Sequence, residues 1–239
     1  MKALGLTLTL LLSLARACPL TTQQQSLSHL HLYAGYVRGI DEAGYHHAVA
    51  AFCDEMAQQP ELFSATEVTV IRYGDRNSVR ATPVLKLKLP AWPDCQKGGL
   101  FKTGKSEREK QCQEKRAQVE IEFKEQVRKI QQALAVAPQS QECVSYLNLL
   151  TRLRFEPNRP PSIVITDASH ACQEANAELE PLATGNAPLI VIQVATGSDF
   201  AERNQFISRL LNPQQVIPGT SAESAVMALK NANTQVAQR

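Results

Sequence analysis

Three short stretches carry residue types that could do chemistry. Gly99 to Ser106 reads GLFKTGKS and fits G-x-x-x-x-G-K-[ST] at every fixed position. In nucleotide hydrolases the backbone amides and lysine of that loop cradle phosphates. Asp167-Ala168-Ser169-His170 sets a carboxylate, a hydroxyl and an imidazole side by side, the three groups of a nucleophilic hydrolase. His29 and His31 stand two residues apart, so on a strand both imidazoles share one face. With a third ligand, from Asp167 or His170, they could hold zinc or copper. His46 and His47 are adjacent on a helical stretch and diverge.

The surroundings decide what these groups can do. A phosphate-binding loop needs a strand ending at its first glycine and a helix that packs from its first turn. Here the preceding apolar alternation ends near Leu89, and Pro90, Pro93 and Cys95 intervene before Gly99. The following helix opens SEREKQCQEKR, which prefers water. GLFKTGKS is therefore read as a coincidental match, a basic loop leading to a helix capped near Ser106. Ser169 and His170 are too close in sequence for the usual triad geometry, and no G-x-S-x-G elbow occurs. No complete catalytic set emerges, which points away from an enzyme and calls for no cofactor.

The elements that would position these residues follow from periodicity. Leu27 to Tyr36 alternates and predicts a strand, and Val49, Phe52 and Met56 mark the inner face of a helix over 41–59. Glu67 to Tyr73 is a β-branched strand. Val84 to Leu89, VLKLKL, alternates with its lysines outward, as an edge strand does. A long charged helix is expected over 106–135, carrying Val119, Ile121, Phe123, Val127, Ile130 and Leu134. Its Glu and Lys residues stand three and four apart, which suits a solvated face. A shorter helix is expected over 141–153. SIVIT (162–166) and LIVIQV (189–194) are continuous apolar runs, the pattern of strands buried on both faces. A helix over 199–211 with Phe206, Ile207, Leu210 and Leu211 inward, a short strand at 215–217 and a last helix capped by Ser221 complete the chain. This order predicts an α/β fold: a mostly parallel, doubly wound sheet with one antiparallel edge strand, whose ligands sit at the carboxyl ends of the strands.

The first residues, MKALGLTLTLLLSLARACPL, combine a lysine, an apolar run and Ala15-Arg16-Ala17. They read as a signal peptide over 1–17, leaving 18–239 as one domain with a Cys-bearing loop and charged helix inserted at about 90–136. Cys18 would follow the cleavage site, so lipidation, and with it a membrane contact, stays open. Periplasmic or secreted localisation follows. Six cysteines in such a chain suggest disulfides. Cys95 with Cys112 and Cys143 with Cys172 are the expected pairs, leaving Cys53 as a buried thiol or a partner of Cys18. A net charge of +2 gives no nucleic-acid footprint.

The order of elements, together with CVSYLNLLTRLRFEPNRPPSIVITDAS (143–169) and PLIVIQVATGSDFAERNQFISRLL (188–211), resembles the von Willebrand factor A domain. The resemblance implies a site at the strand ends, in that family a magnesium site built from Asp-x-Ser-x-Ser, a threonine and an aspartate. Only Asp167, after Thr166, matches. Tyr33 to Val37 stand where Asp-x-Ser-x-Ser would be. The resemblance thus implies a degenerate, metal-free rim that binds a protein partner of the cell envelope through Tyr36, Arg38, Asp167, Ser169 and His170. The alternative is a metal-dependent hydrolase at the same rim, using Asp167 with His29 or His31.

Overall fold

The computed structural model describes residues 27–35, 42–74, 81–95, 105–136, 144–156, 159–168, 181–183, 187–194 and 200–237. The strands are β1 (His29–Gly35), β2 (Glu67–Arg72), β3 (Thr82–Lys88), β4 (Ser162–Thr166), β5 (Leu189–Gln193) and β6 (Gln215–Pro218). The helices are α1 (Glu42–Gln58), α2 (Lys105–Ala135), α3 (Tyr146–Phe155), α4 (Phe200–Leu211) and α5 (Ser224–Ala237). The six strands form one sheet in the order β3-β2-β1-β4-β5-β6. All neighbours are parallel except β3, which runs antiparallel to β2 at the edge. This is the α/β arrangement expected from the sequence, and it is consistent with a von Willebrand A or Rossmann-like fold.

Strand alternation builds two cores. Leu30, Leu32 and Ala34 of β1 face α1, α2 and α5, where Phe52, Met56, Phe123, Ile130 and Val226 are buried. Tyr33 of β1, Ile71 of β2 and Val164 of β4 face α3 and α4, against Tyr146, Leu149, Leu153, Ile207 and Leu211. The central strands β4 and β5 are buried along their whole length, which is why they read as unbroken apolar runs. On β3, Lys86 and Lys88 are exposed, and Lys86 Nζ reaches Glu67 Oε1 at 2.9 Å. Lysines on a sheet margin discourage pairing with a further strand.

Two local expectations are corrected. Ile121 of α2 is 72 % exposed, whereas Phe123, Val127, Ile130 and Leu134 are buried. At 100° per residue, Ile121 stands about 200° round the helix from Phe123, so it cannot share that stripe. Ser221 does not cap the last helix. It closes a 3₁₀ turn, Gly219–Ser221, and α5 begins at Ser224. The turn packs closely against the end of β5: a Cβ on Gly219 would lie 3.1 Å from Val194 Cα.

Cys95 and Cys112 form a disulfide with Cα atoms 5.8 Å apart. Such a bond points to an oxidising, extracytoplasmic compartment. Cys53 is a free buried thiol, and burial pushes its pKa well up. The Cys143–Cys172 pair lies outside the described residues, as does the loop from Gly99 to Gly104. The strand before that loop is the antiparallel edge β3, and Glu107 to Gln111 of the helix after it are exposed. A phosphate-binding loop has neither neighbour. Among the described residues, no helix is long and apolar enough to cross a membrane.

Candidate functional site at the carboxyl ends of the strands

The chain leaves β1 toward β2 on one side, while β4 leads to β5 on the other, so the order reverses between β1 and β4. Ligands of open α/β sheets sit outside that reversal, at the carboxyl ends. Here those ends are Gly35 of β1, Tyr73 and Gly74 after β2, Thr166 to Ala168 after β4, and Gln193 and Val194 of the β5 end.

Two tyrosines fill the space beneath the rim. The Tyr73 ring lies so close to the end of β1 that a Cβ on Gly35 would come within 2.7 Å of it; glycine permits the approach. Tyr73 N donates to Ala34 O at 3.1 Å and its hydroxyl lies 3.5 Å from Gly35 O. The Tyr146 ring, at the start of α3, lies 6.1 Å from that of Tyr73 and meets Phe206 of α4 edge-on at 5.5 Å. Its hydroxyl pairs with Thr166 Oγ1 at 3.2 Å, while Ala168 N donates to the same oxygen at 3.1 Å. The second contact holds a tight turn in which Ala168 takes φ 52°, a left-handed conformation uncommon for alanine. Asp167 stands inside this turn, 2 % exposed, and its carbonyl accepts from an Arg203 terminal nitrogen at 3.2 Å.

Burial raises both phenol pKa values, and the Asp167 charge adds to the effect. Near neutral pH both rings keep their protons and serve as hydrogen-bonding props. Gln193 ends β5 fully buried; its Nε2 donates to Phe200 O at 3.1 Å, and its Oε1 lacks a partner among the described residues. Sequence reasoning missed Tyr73, Tyr146, Arg203 and Gln193. Only Gln193 left a local trace, as the one polar residue within LIVIQV.

Of the rim residues expected from the sequence, Asp167 is described; Tyr36, Arg38, Ser169 and His170 lie outside the described residues. The magnesium site implied by the family resemblance does not fit the described donors. Thr166 Oγ1 is committed to two hydrogen bonds, and Asp167 is the only carboxylate among the described residues of the strand ends. Hard cations demand several free oxygens.

The two strand histidines are remote from this rim. His31 stands opposite Ser162, five residues before Asp167, roughly 17 Å away at the usual strand rise. One ion could not bridge His31 and Asp167. His29 Nδ1 approaches Glu67 Oε1 at 3.6 Å instead, and His31 Nδ1 approaches Glu156 Oε2 at 3.4 Å.

Burial lowers the His31 pKa, with Arg152 and His29 acting the same way and Glu156 and Glu67 opposing; Tyr33 also faces the ring. The unfolded imidazole, near its usual value of about 6.5, takes a proton first. The stability due to neutral His31 is therefore present above that pH and lost as the pH falls through the lower folded value. His31→Gln is expected to flatten this part of the unfolding midpoint's pH dependence. An unchanged slope below pH ~6.5 would show that His31 does not titrate this way.

No family model matches the chain, and no curated protein matches it by sequence. Among solved structures it is similar to part of one described as the crystal structure of the human COPII-coat protein Sec24c. The TM-score is 0.37 at 7 % identity, over 86 % of this chain and 32 % of that one. The chain thus spans about a third of that protein's length. So slight a likeness carries no functional argument.

A cavity of about 810 Å³ between α1 and α2 is lined by Cys53, Trp92 and Val127 among others and stands apart from the strand ends. The described rim thus consists of the turn after β4, the buried Asp167 and the Arg203 that donates to its carbonyl.

Proposed function

We propose that the chain is an exported, non-catalytic binding domain of von Willebrand A type. It recognises a protein partner of the periplasm or cell envelope at the carboxyl-end rim. The observation that carries this reading is the rim's construction. Where the sheet reverses, Thr166 Oγ1 is engaged by the Tyr146 hydroxyl and by Ala168 N, and these contacts brace the turn that bears Asp167. A braced turn on a sheet end suits recognition, because less conformational freedom is lost on binding. The family resemblance supports the fold type, and the leader-like first residues support export.

On this reading Tyr36, Arg38, Ser169 and His170 make the contacts, and Asp167 shapes the turn between them. The test is capture of envelope proteins by the mature chain, followed by titration of the captured partner against variants. Arg38→Glu is expected to weaken binding at least about tenfold, the size of an interface hot spot. Equal affinity in Arg38→Glu and in a Ser169→Asp, His170→Ala double variant would remove the rim as the binding surface.

A further inference from the structure

The outer face of α3 carries a patch that complements itself. Leu147, Thr151 and Phe155 stand four residues apart on α3, so they line one face. Leu147 is 40 % exposed and Phe155 is 81 % exposed. A phenyl ring left in water forgoes roughly 1.5–3 kcal/mol of burial. Beside that ring opens a cavity of about 440 Å³, lined by Ala81, Thr151, Arg152, Phe155 and Glu156. A cavity of about 150 Å³ already admits benzene. One patch therefore holds both an apolar knob and a hole large enough for it.

The charges repeat the pattern. Arg152 and Glu156 line the hole one helical turn apart, with a guanidinium nitrogen 2.9 Å from Glu156 Oε1. Both are part-exposed, so the wall shows one charge of each sign. A two-fold rotation reverses the helix direction and lays Glu156 of one copy against Arg152 of the other, twice. A surface that carries both halves of its own complement is what an isologous dimer requires.

We propose that this face of α3 docks a second copy of the chain across a two-fold axis near Phe155, each ring entering the other copy's cavity. A partner of single charge sign would leave either Arg152 or Glu156 facing its own kind. A second copy leaves neither. From Leu147 to Phe155 the patch covers little more than two turns of helix, a small contact for an interface, so association is reversible. Phe155 ends α3 on the side of the amino end of β4, whereas Tyr146 at its start meets Thr166. With the axis near Phe155 the contact centres away from the rim, and two linked sites bind a repeated partner more tightly than one. The dimer does not depend on what the rim binds.

Sedimentation velocity of the mature chain, from low to high micromolar concentration, tests this. The expected result is a monomer–dimer shift that Phe155→Asp weakens at least about tenfold, the loss expected of a central aromatic anchor. Far-UV circular dichroism and the unfolding midpoint should not change, because the ring is exposed. Thr151→Cys should cross-link between copies faster than Glu125→Cys on the solvent face of α2. Three outcomes overturn the proposal: a monomer at every concentration with no Thr151→Cys cross-link, a dimer indifferent to Phe155→Asp, or a monomer whose α3 face is covered by a different protein.

Discussion

Tyr146→Ala is expected to lower the unfolding free energy by about 3–5 kcal/mol, the range for removing a buried aromatic ring. Tyr146→Phe should lower it by about 1 kcal/mol. The ring is fully buried between Tyr73 and Phe206, so its loss opens a cavity where α3, α4 and the sheet end meet. The phenylalanine variant keeps the ring and removes only the contact with Thr166, whose Oγ1 still accepts from Ala168 N. Urea unfolding of both variants at constant slope separates the two contributions. A cost below about 1 kcal/mol for the alanine variant would mean that the ring does not support the rim. Gly35 belongs to the same argument. Any side chain there must displace the Tyr73 ring, so even Gly35→Ala should loosen the β1 end.

The sheet was legible in the sequence because each strand obeys one simple constraint. β4 and β5 are covered on both sides and show unbroken apolar runs; β3 is covered on one side and alternates. Strand ends fell within one or two residues for the same reason, as with SIVIT, which is β4 itself. Errors arose where angle or close approach, rather than composition, decides. The apolar residues carried by α2 include Ile121, but composition does not report that its direction takes it out to solvent. Before α5 the chain makes a 3₁₀ turn packed closely on Val194 at Gly219, which no capping preference reports.

The construction of the candidate site was less legible, for a related reason. Asp167 stood out because it follows Thr166 as in the family pattern and stands beside Ser169 and His170; it lies buried directly after β4. Tyr73, Tyr146 and Arg203 did not, because their meaning lies in contacts between residues far apart in the chain: 73 with 35, 146 with 166, 203 with 167. In one dimension a tyrosine at an element's end looks like any core aromatic. The separation of His31 from Asp167 is likewise a matter of register, visible only once β1 is paired with β4.

Removing the Cys95–Cys112 bond is the second large effect. A cross-link spanning 17 residues restrains the unfolded chain by about 3 kcal/mol, so the Cys95→Ser, Cys112→Ser double variant should lose about that much stability. The loss should also be uneven. Phe123, Val127, Ile130 and Leu134 anchor the carboxyl half of α2 in the core, whereas Glu107 to Gln111 are exposed. The amino half is fastened by the disulfide and by Arg116, whose Nε donates to Pro93 O at 3.1 Å and whose guanidinium lies 5.9 Å from the centre of the Trp92 ring. Trp92 N in turn donates to Ser64 Oγ at 2.8 Å, which ties this strap to the turn after α1. Hydrogen exchange of the double variant should quicken across residues 107–118 and stay slow from Phe123 onward. Uniform quickening along α2 would mean that the bond braces the whole helix, and no quickening would mean that Arg116 and Trp92 suffice to hold it.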